Sequence, residues 1–157
     1  MTRPWLVLFE GQDESGKTTL MKEFNEYTNF KHTVVDRAFI STAVYNTKYC
    51  RENDGIDYLV QLRDISRATN VLVVLCMASP KCIMSRYRCS DKKDYQANTE
   101  DEESLLREIE EDGKLFMHYT DLVSHSCKVV KIDTCGAKTS EQAAFLENII
   151  EGYEVTE

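Results

Sequence analysis

Gly11-Gln12-Asp13-Glu14-Ser15-Gly16-Lys17-Thr18, continued by Thr19 and Leu20, is the stretch around which this chain is organised. It fits the phosphate-binding pattern G-x-x-x-x-G-K-[ST], and the residues on either side fit the context that pattern requires. Trp5-Leu6-Val7-Leu8-Phe9 is an unbroken apolar run, as expected of a strand buried on both faces. Residues 16–27 read as a helix with Leu20 and Phe24 on one face. Gly11 and Gly16 allow backbone conformations that a side chain would obstruct. The loop amides then turn inward at the positive end of a helix and hold an anion. Gly11, Glu14, Ser15, Gly16, Lys17, Thr18 and Thr19 are therefore the candidate nucleoside triphosphate site. Lys17 is placed to reach the β- and γ-phosphates, and the Thr18 hydroxyl to ligate Mg²⁺.

The 157 residues suit one domain with a substantial core. The first residues, Met1-Thr2-Arg3-Pro4, do not read as a leader, and no apolar run approaches a membrane span, so the expectation is a soluble, cytoplasmic protein without membrane contact. A net charge of −8 argues against a general nucleic-acid-coating role, which needs a basic face. Six cysteines form no C-x-x-C pair, and the three histidines form no H-E-x-x-H, so free thiols are expected rather than a zinc site.

Beyond the first helix, 32–37 reads as a short strand ending in Asp36-Arg37, and 54–67 as a helix with Ile56, Leu59, Val60 and Ile65 on its apolar face. The run 70–77 is the clearest buried strand, and Ser79-Pro80 opens a helix with serine as its cap. Residues 81–94 carry five basic residues (Lys81, Arg86, Arg88, Lys92, Lys93) against two acids; residues 100–112 carry eight acids against Arg107 alone. Two solvated faces pairing with one another account for most of this pattern, though less well for the clustered arginines. Thr99-Glu100-Asp101-Glu102 reads as a capping box for a long helix with Leu105, Ile109, Phe116, Tyr119 and Val123 buried. A strand at 128–133 and a helix from a second capping box, Thr139-Ser140-Glu141-Gln142, to about Gly152 complete the chain. Strands alternating with helices give an α/β, three-layer P-loop fold: a four-stranded parallel sheet flanked by helices. The expected strand order is Val34, Leu6, Leu72, Val130.

Triphosphate binding leaves switches, motors and kinases open. No N-K-x-D guanine-reading segment occurs. The carboxylate at a strand end is Asp36, followed at once by Arg37, a pair suited to phosphoryl transfer. Here the sequence resembles the thymidylate kinase family. Phe9-Glu10-Gly11-Gln12-Asp13-Glu14-Ser15-Gly16-Lys17-Thr18-Thr19 is similar to its F-E-G-x-D-G-x-G-K-T-T, and Asp36-Arg37-Ala38-Phe39-Ile40-Ser41-Thr42-Ala43-Val44-Tyr45 to its D-R-[YH]-x-x-S-x-x-x-Y. Phe116-Met117-His118-Tyr119 and the strand through Ile132-Asp133 resemble its later F-x-x-x-Y and I-D-A stretches. The resemblance implies an ATP- and Mg²⁺-dependent kinase. Lys17, Asp36, Arg37, Arg86 and Arg88 would be its catalytic residues, with Asp13, Arg37 and Ser41 on the acceptor and Thr18 and Asp36 on the metal. A lid over about 80–98 would close over ATP.

The chain also departs from the family. Glu14 brings negative charge to the phosphate loop, and Ala38 replaces an aromatic residue or histidine. Arg37 follows Asp13 by only 24 positions, where the family carries a longer insert that shapes its thymine pocket. The acceptor is thus expected to be dTMP or a related deoxynucleotide. The alternatives are a hydroxymethylated pyrimidine in DNA, as in some phage kinases, and a regulatory subunit that binds nucleotide without turnover. A homodimer is left open.

Overall fold

The computed structural model describes residues 3–51, 55–91, 95 and 101–156. Four strands, β1 (Leu6–Glu10), β2 (Thr33–Asp36), β3 (Val71–Met77) and β4 (Lys128–Asp133), form one parallel sheet in the order β2-β1-β3-β4. This is the order expected from the sequence. Register pairs Phe9 with Asp36 and Met77 with Asp133, so the four carboxyl ends open at one edge of the sheet. Ligands of open α/β sheets bind at that edge.

Strand side chains alternate between the two faces, and both faces are covered. Val7, Phe9, Leu72 and Val74 pack against α1 (Lys17–Tyr27) and α6 (Thr139–Val155) through Leu20, Phe24, Leu146 and Ile150. Leu8, Val73 and Leu75 pack on the opposite side against α2 (Phe39–Lys48), α3 (Gly55–Ala68) and α5 (Glu102–Val123). Beside that layer, α4 (Pro80–Arg88) closes a small core of Ile83, Met84, Tyr87, Tyr95, Leu105 and Ile109.

Several local expectations are corrected. In α3 the buried apolar side chains are Leu59 and Leu62, whereas Ile56 and Val60 are exposed. The cap of α5 is Asp101, whose carboxylate accepts the Ser104 amide at 3.2 Å; Thr99 and Glu100 lie outside the described residues. Thr139 is the first residue of α6 rather than its cap, because Lys138 takes the extended cap position without a side-chain bond. The cap of α4 is Ser79 as expected, accepting the Cys82 amide at 3.2 Å.

The acidic run pairs with the basic segment through Arg88 and Glu102, at 3.7 Å, and has a further partner in α2. Lys48 of α2 donates to Glu108 at 2.8 Å and to Asp112 at 2.7 Å, and lies over the rings of Tyr95 and Tyr49. Asp112 is buried, and loss of solvent pushes its pKa up against the pull of Lys48. This cluster pins α2 to α5. No helix among the described residues is long and apolar enough to cross a membrane.

Candidate active site

The loop between β1 and α1 owes its shape to its carbonyls. The Tyr95 hydroxyl donates to the Asp13 carbonyl at 2.9 Å, Arg86 Nη1 to that of Glu14 at 3.0 Å, and the Thr134 hydroxyl to that of Ser15 at 2.5 Å. Three consecutive carbonyls are thus held by groups outside the loop, which favours inward-facing amides. Glu14 (φ 62°) and Gly16 (φ 83°) take the left-handed conformations that curl such a loop into an anion-binding nest. A side chain at Gly11 would meet the Cys76 carbonyl at 2.6 Å, and one at Gly16 the Thr134 side chain at 2.9 Å, so both glycines are sterically required. The Ser15 hydroxyl is buried with no hydrogen-bond partner among the described residues. These features fit a bound phosphate chain.

A cavity of about 550 Å³ opens over this loop, lined by Asp13 to Thr19 together with Asp36 and Arg37. Arg37 is brought there by backbone geometry. Its amide donates to the Phe9 carbonyl at 2.9 Å and its φ is 58°, so the chain turns sharply out of β2. Its guanidinium pairs with the Asp13 carboxylate and stands 5.6 Å from the centre of the Tyr45 ring. Lys17 is buried, whereas Thr18, Thr19 and Asp36 face solvent. Thr18 and Asp36 could hold Mg²⁺ within this cavity. Among the described residues no group of three His, Cys, Asp or Glu could hold a metal, so the ion would keep waters and phosphate oxygens, as Mg²⁺ commonly does.

A neighbouring cavity of about 520 Å³ shares Glu14, Gly16 and Thr19 with the first and extends between Arg86 and Cys89 of α4 and Thr134, Thr139 and Gln142. Arg86 is part of its wall and is not a free cation. It donates to Glu14 and, at 3.0 Å, to the Thr134 carbonyl. Arg88 is half exposed and pairs with Glu102 at 3.7 Å, among none of the residues lining either cavity. Neither guanidinium is among the residues that line the cavity shared by Lys17, Asp36 and Arg37. Arg86 holds the loop, and Arg88 is a surface ion-pair partner. Of the lid, 92–94 and 96–100 lie outside the described residues. Replacing Arg86 with alanine is expected to weaken binding of a fluorescent ATP analogue about 10- to 100-fold, the value of charged hydrogen bonds. The Arg88→Ala variant should stay within about 0.5 kcal/mol of the parent in affinity and stability.

Ser41 is not among the residues lining the phosphate-loop cavity. It is 2% exposed, and its hydroxyl and amide both donate to the carboxylate of Glu10. Glu10 is the residue that sequence reasoning passed over. Buried at 1% exposure, it also accepts the amides of Ala38 at 2.8 Å and Ile40 at 3.2 Å. One carboxylate from the strand that carries the phosphate loop thus caps the helix that follows Asp36-Arg37. Burial pushes its pKa up while these donors pull it down. The available signal was an acid at the inward end of an apolar strand. Glu10→Gln would set an amide donor against backbone donors. The expected loss is about 1–3 kcal/mol of stability, with faster hydrogen exchange at residues 38, 40 and 41.

No protein-family model and no curated protein sequence matches the chain. Solved structures do. The YorR protein of Bacillus subtilis, crystallised in complex with phosphorylated GDP, aligns with a TM-score of 0.66 at 16% identity, over 93% of this chain and 95% of that one. Thymidylate kinase from Candida albicans aligns with a TM-score of 0.53 at 15% identity, over 100% of this chain and 95% of that one. The chain has the fold of these two structures, a parallel α/β sheet flanked by helices. At such identities the likeness establishes the fold, and the chemistry rests on the residues of the site.

Proposed function

We propose that this protein is an ATP-dependent kinase that transfers the γ-phosphoryl group to a deoxynucleoside monophosphate. One observation carries the reading: a single cavity is lined both by the phosphate loop and by Asp13, Asp36 and Arg37. In the reaction an acceptor oxygen bonds to the γ-phosphorus as the bond to the β–γ bridging oxygen breaks, giving ADP and a nucleoside diphosphate. Catalysis of this kind is positioning and electrostatics. The loop amides and Lys17 hold the β- and γ-oxygens, Arg37 draws the acceptor phosphate alongside, and Asp36 orients water or accepts the acceptor's proton. Mg²⁺, when bound, neutralises charge on the phosphate oxygens. The second cavity, continuous with the loop at Glu14, Gly16 and Thr19, suits the donor nucleoside. A relative in fold was crystallised with a phosphorylated guanine nucleotide, which is consistent with nucleotide chemistry.

A free nucleotide is preferred over DNA because the chain is acidic and Arg86 is engaged by the phosphate loop, which weakens the case for a basic track. The test offers labelled ATP to dTMP, the other deoxynucleoside monophosphates, nucleosides, and DNA with plain or hydroxymethylated pyrimidines. Labelling of monophosphates is expected. Labelling of modified DNA alone would replace this reading with the nucleic-acid one, and no labelling at all would leave a nucleotide-binding regulator.

A further inference from the structure

A third cavity, of about 310 Å³, is bounded by Gln12 of the phosphate loop, the carboxyl end of β3 and the middle of α5. That volume is at the lower end of the roughly 300–1,000 Å³ typical of small-molecule pockets. Its walls are mostly apolar, with Met77, Phe116 and Met117 prominent, and its charged residues, Glu110 and Lys114, are exposed. Burial pushes the thiol of Cys76, also in the wall, up to about 12, so it is neutral there. One polar side chain is built into this lining. Gln12 is only 6% exposed, and its amide has no hydrogen-bond partner among the described residues. The amide borders the cavity and keeps both its donor and its acceptor for a ligand placed there. Gly113 leaves the space beside it, since a Cβ there would stand 3.1 Å from Gln12 Oε1.

The complementary ligand has apolar faces and an edge with a donor beside an acceptor, because a primary amide offers one of each. A nucleobase has that form. The cavity is also placed to serve the phosphate cleft. Gln12 is followed directly by Asp13, which lines that cleft. On the other side, Phe116 meets Tyr45 edge-on at 6.0 Å, and Tyr45 lies beneath Arg37.

We propose that this cavity takes the base of the acceptor nucleotide, read by the Gln12 amide, with the acceptor phosphate directed to Arg37. The word acceptor rests on the kinase reading; the binding of a base does not.

The experiment therefore begins without phosphate. The protein, with its methionine methyls labelled, is titrated with thymidine and the three other common deoxynucleosides and followed by NMR. Saturable shifts of the Met77 and Met117 methyls are expected. Gln12→Leu should weaken that binding about tenfold or more through its lost hydrogen bonds. Gly113→Ala should weaken it as well, by displacing the amide, and alanine is the better helix former, so the fold is retained. In the transfer assay both variants should raise KM for the monophosphate and leave the affinity for an ATP analogue within about twofold of the parent. Methyl groups that respond to no nucleoside, or variants that bind nucleosides as the parent does, would overturn the proposal. Nucleoside binding without any transfer would instead remove the kinase reading and keep the base site. Transfer with unchanged acceptor KM in both variants would do the opposite.

Discussion

Lys17→Ala is expected to lower kcat for phosphoryl transfer by about 10²–10³-fold, the effect of deleting one preorganised group that meets charge developing in the transition state. Lys17 is 5% exposed at the start of α1, in the wall of the cavity that also contains Asp36 and Arg37. Its ammonium would neutralise the β- and γ-oxygens in a site where water is reduced and a fixed charge acts strongly. Lys17 belongs to none of the three cores, so far- and near-ultraviolet circular dichroism of the alanine variant should match the parent. A variant that keeps turnover within about tenfold, less than about 1.4 kcal/mol of barrier, would show that the lysine does not meet the transferring group.

The second large effect concerns stability. Lys48→Met is expected to cost about 3–5 kcal/mol, because it strands the buried Asp112 without its cation. For a chain of this size that corresponds to a fall in Tm of roughly 6–20 °C. The loss should depend on pH. Asp112 already has a raised pKa from burial, opposed by Lys48, and removing Lys48 raises it further. A carboxyl whose folded pKa lies above its unfolded value makes stability fall as pH rises through that interval. The deficit of the variant is therefore smallest in acid, grows above the ordinary carboxylate range, and levels off above the folded pKa. Replacing Asp112 and Glu108 by apolar residues in the same variant should recover much of the stability. A deficit independent of pH would point to lost packing of the lysine stem rather than a stranded charge.

These two residues were not equally visible in the sequence. Lys17 sits in a pattern whose spacing is dictated by its ligand, so the strand, the loop and the helix could be read together. The strand order could be read as well, because buried apolar runs and short right-handed crossovers leave few arrangements. Lys48 shows no such pattern. Its partners lie 60 and 64 residues away on α5, and only the packing of α2 against that helix brings them together. The acidic run therefore read as a solvated face, although Asp112 is buried within it. Ser41 rests on the resemblance alone, and its hydroxyl is turned inward by Glu10, an acceptor 31 positions earlier in the chain. The charge excess around Arg86 is visible in the sequence, whereas the carbonyls of Glu14 and Thr134 that hold its guanidinium come from distant segments. Gln12 occupies a variable position of the loop pattern, where spacing says nothing about which way a side chain turns.

The proposed reaction requires one cavity both to hold a triphosphate and to present it to a second nucleotide. ADP production from ATP and Mg²⁺, measured with and without the deoxynucleoside monophosphates, tests this most directly. ADP release is expected to depend on the monophosphate and to match the diphosphate formed mole for mole, with little hydrolysis in its absence. Release of ADP at the same rate without any acceptor would contradict it.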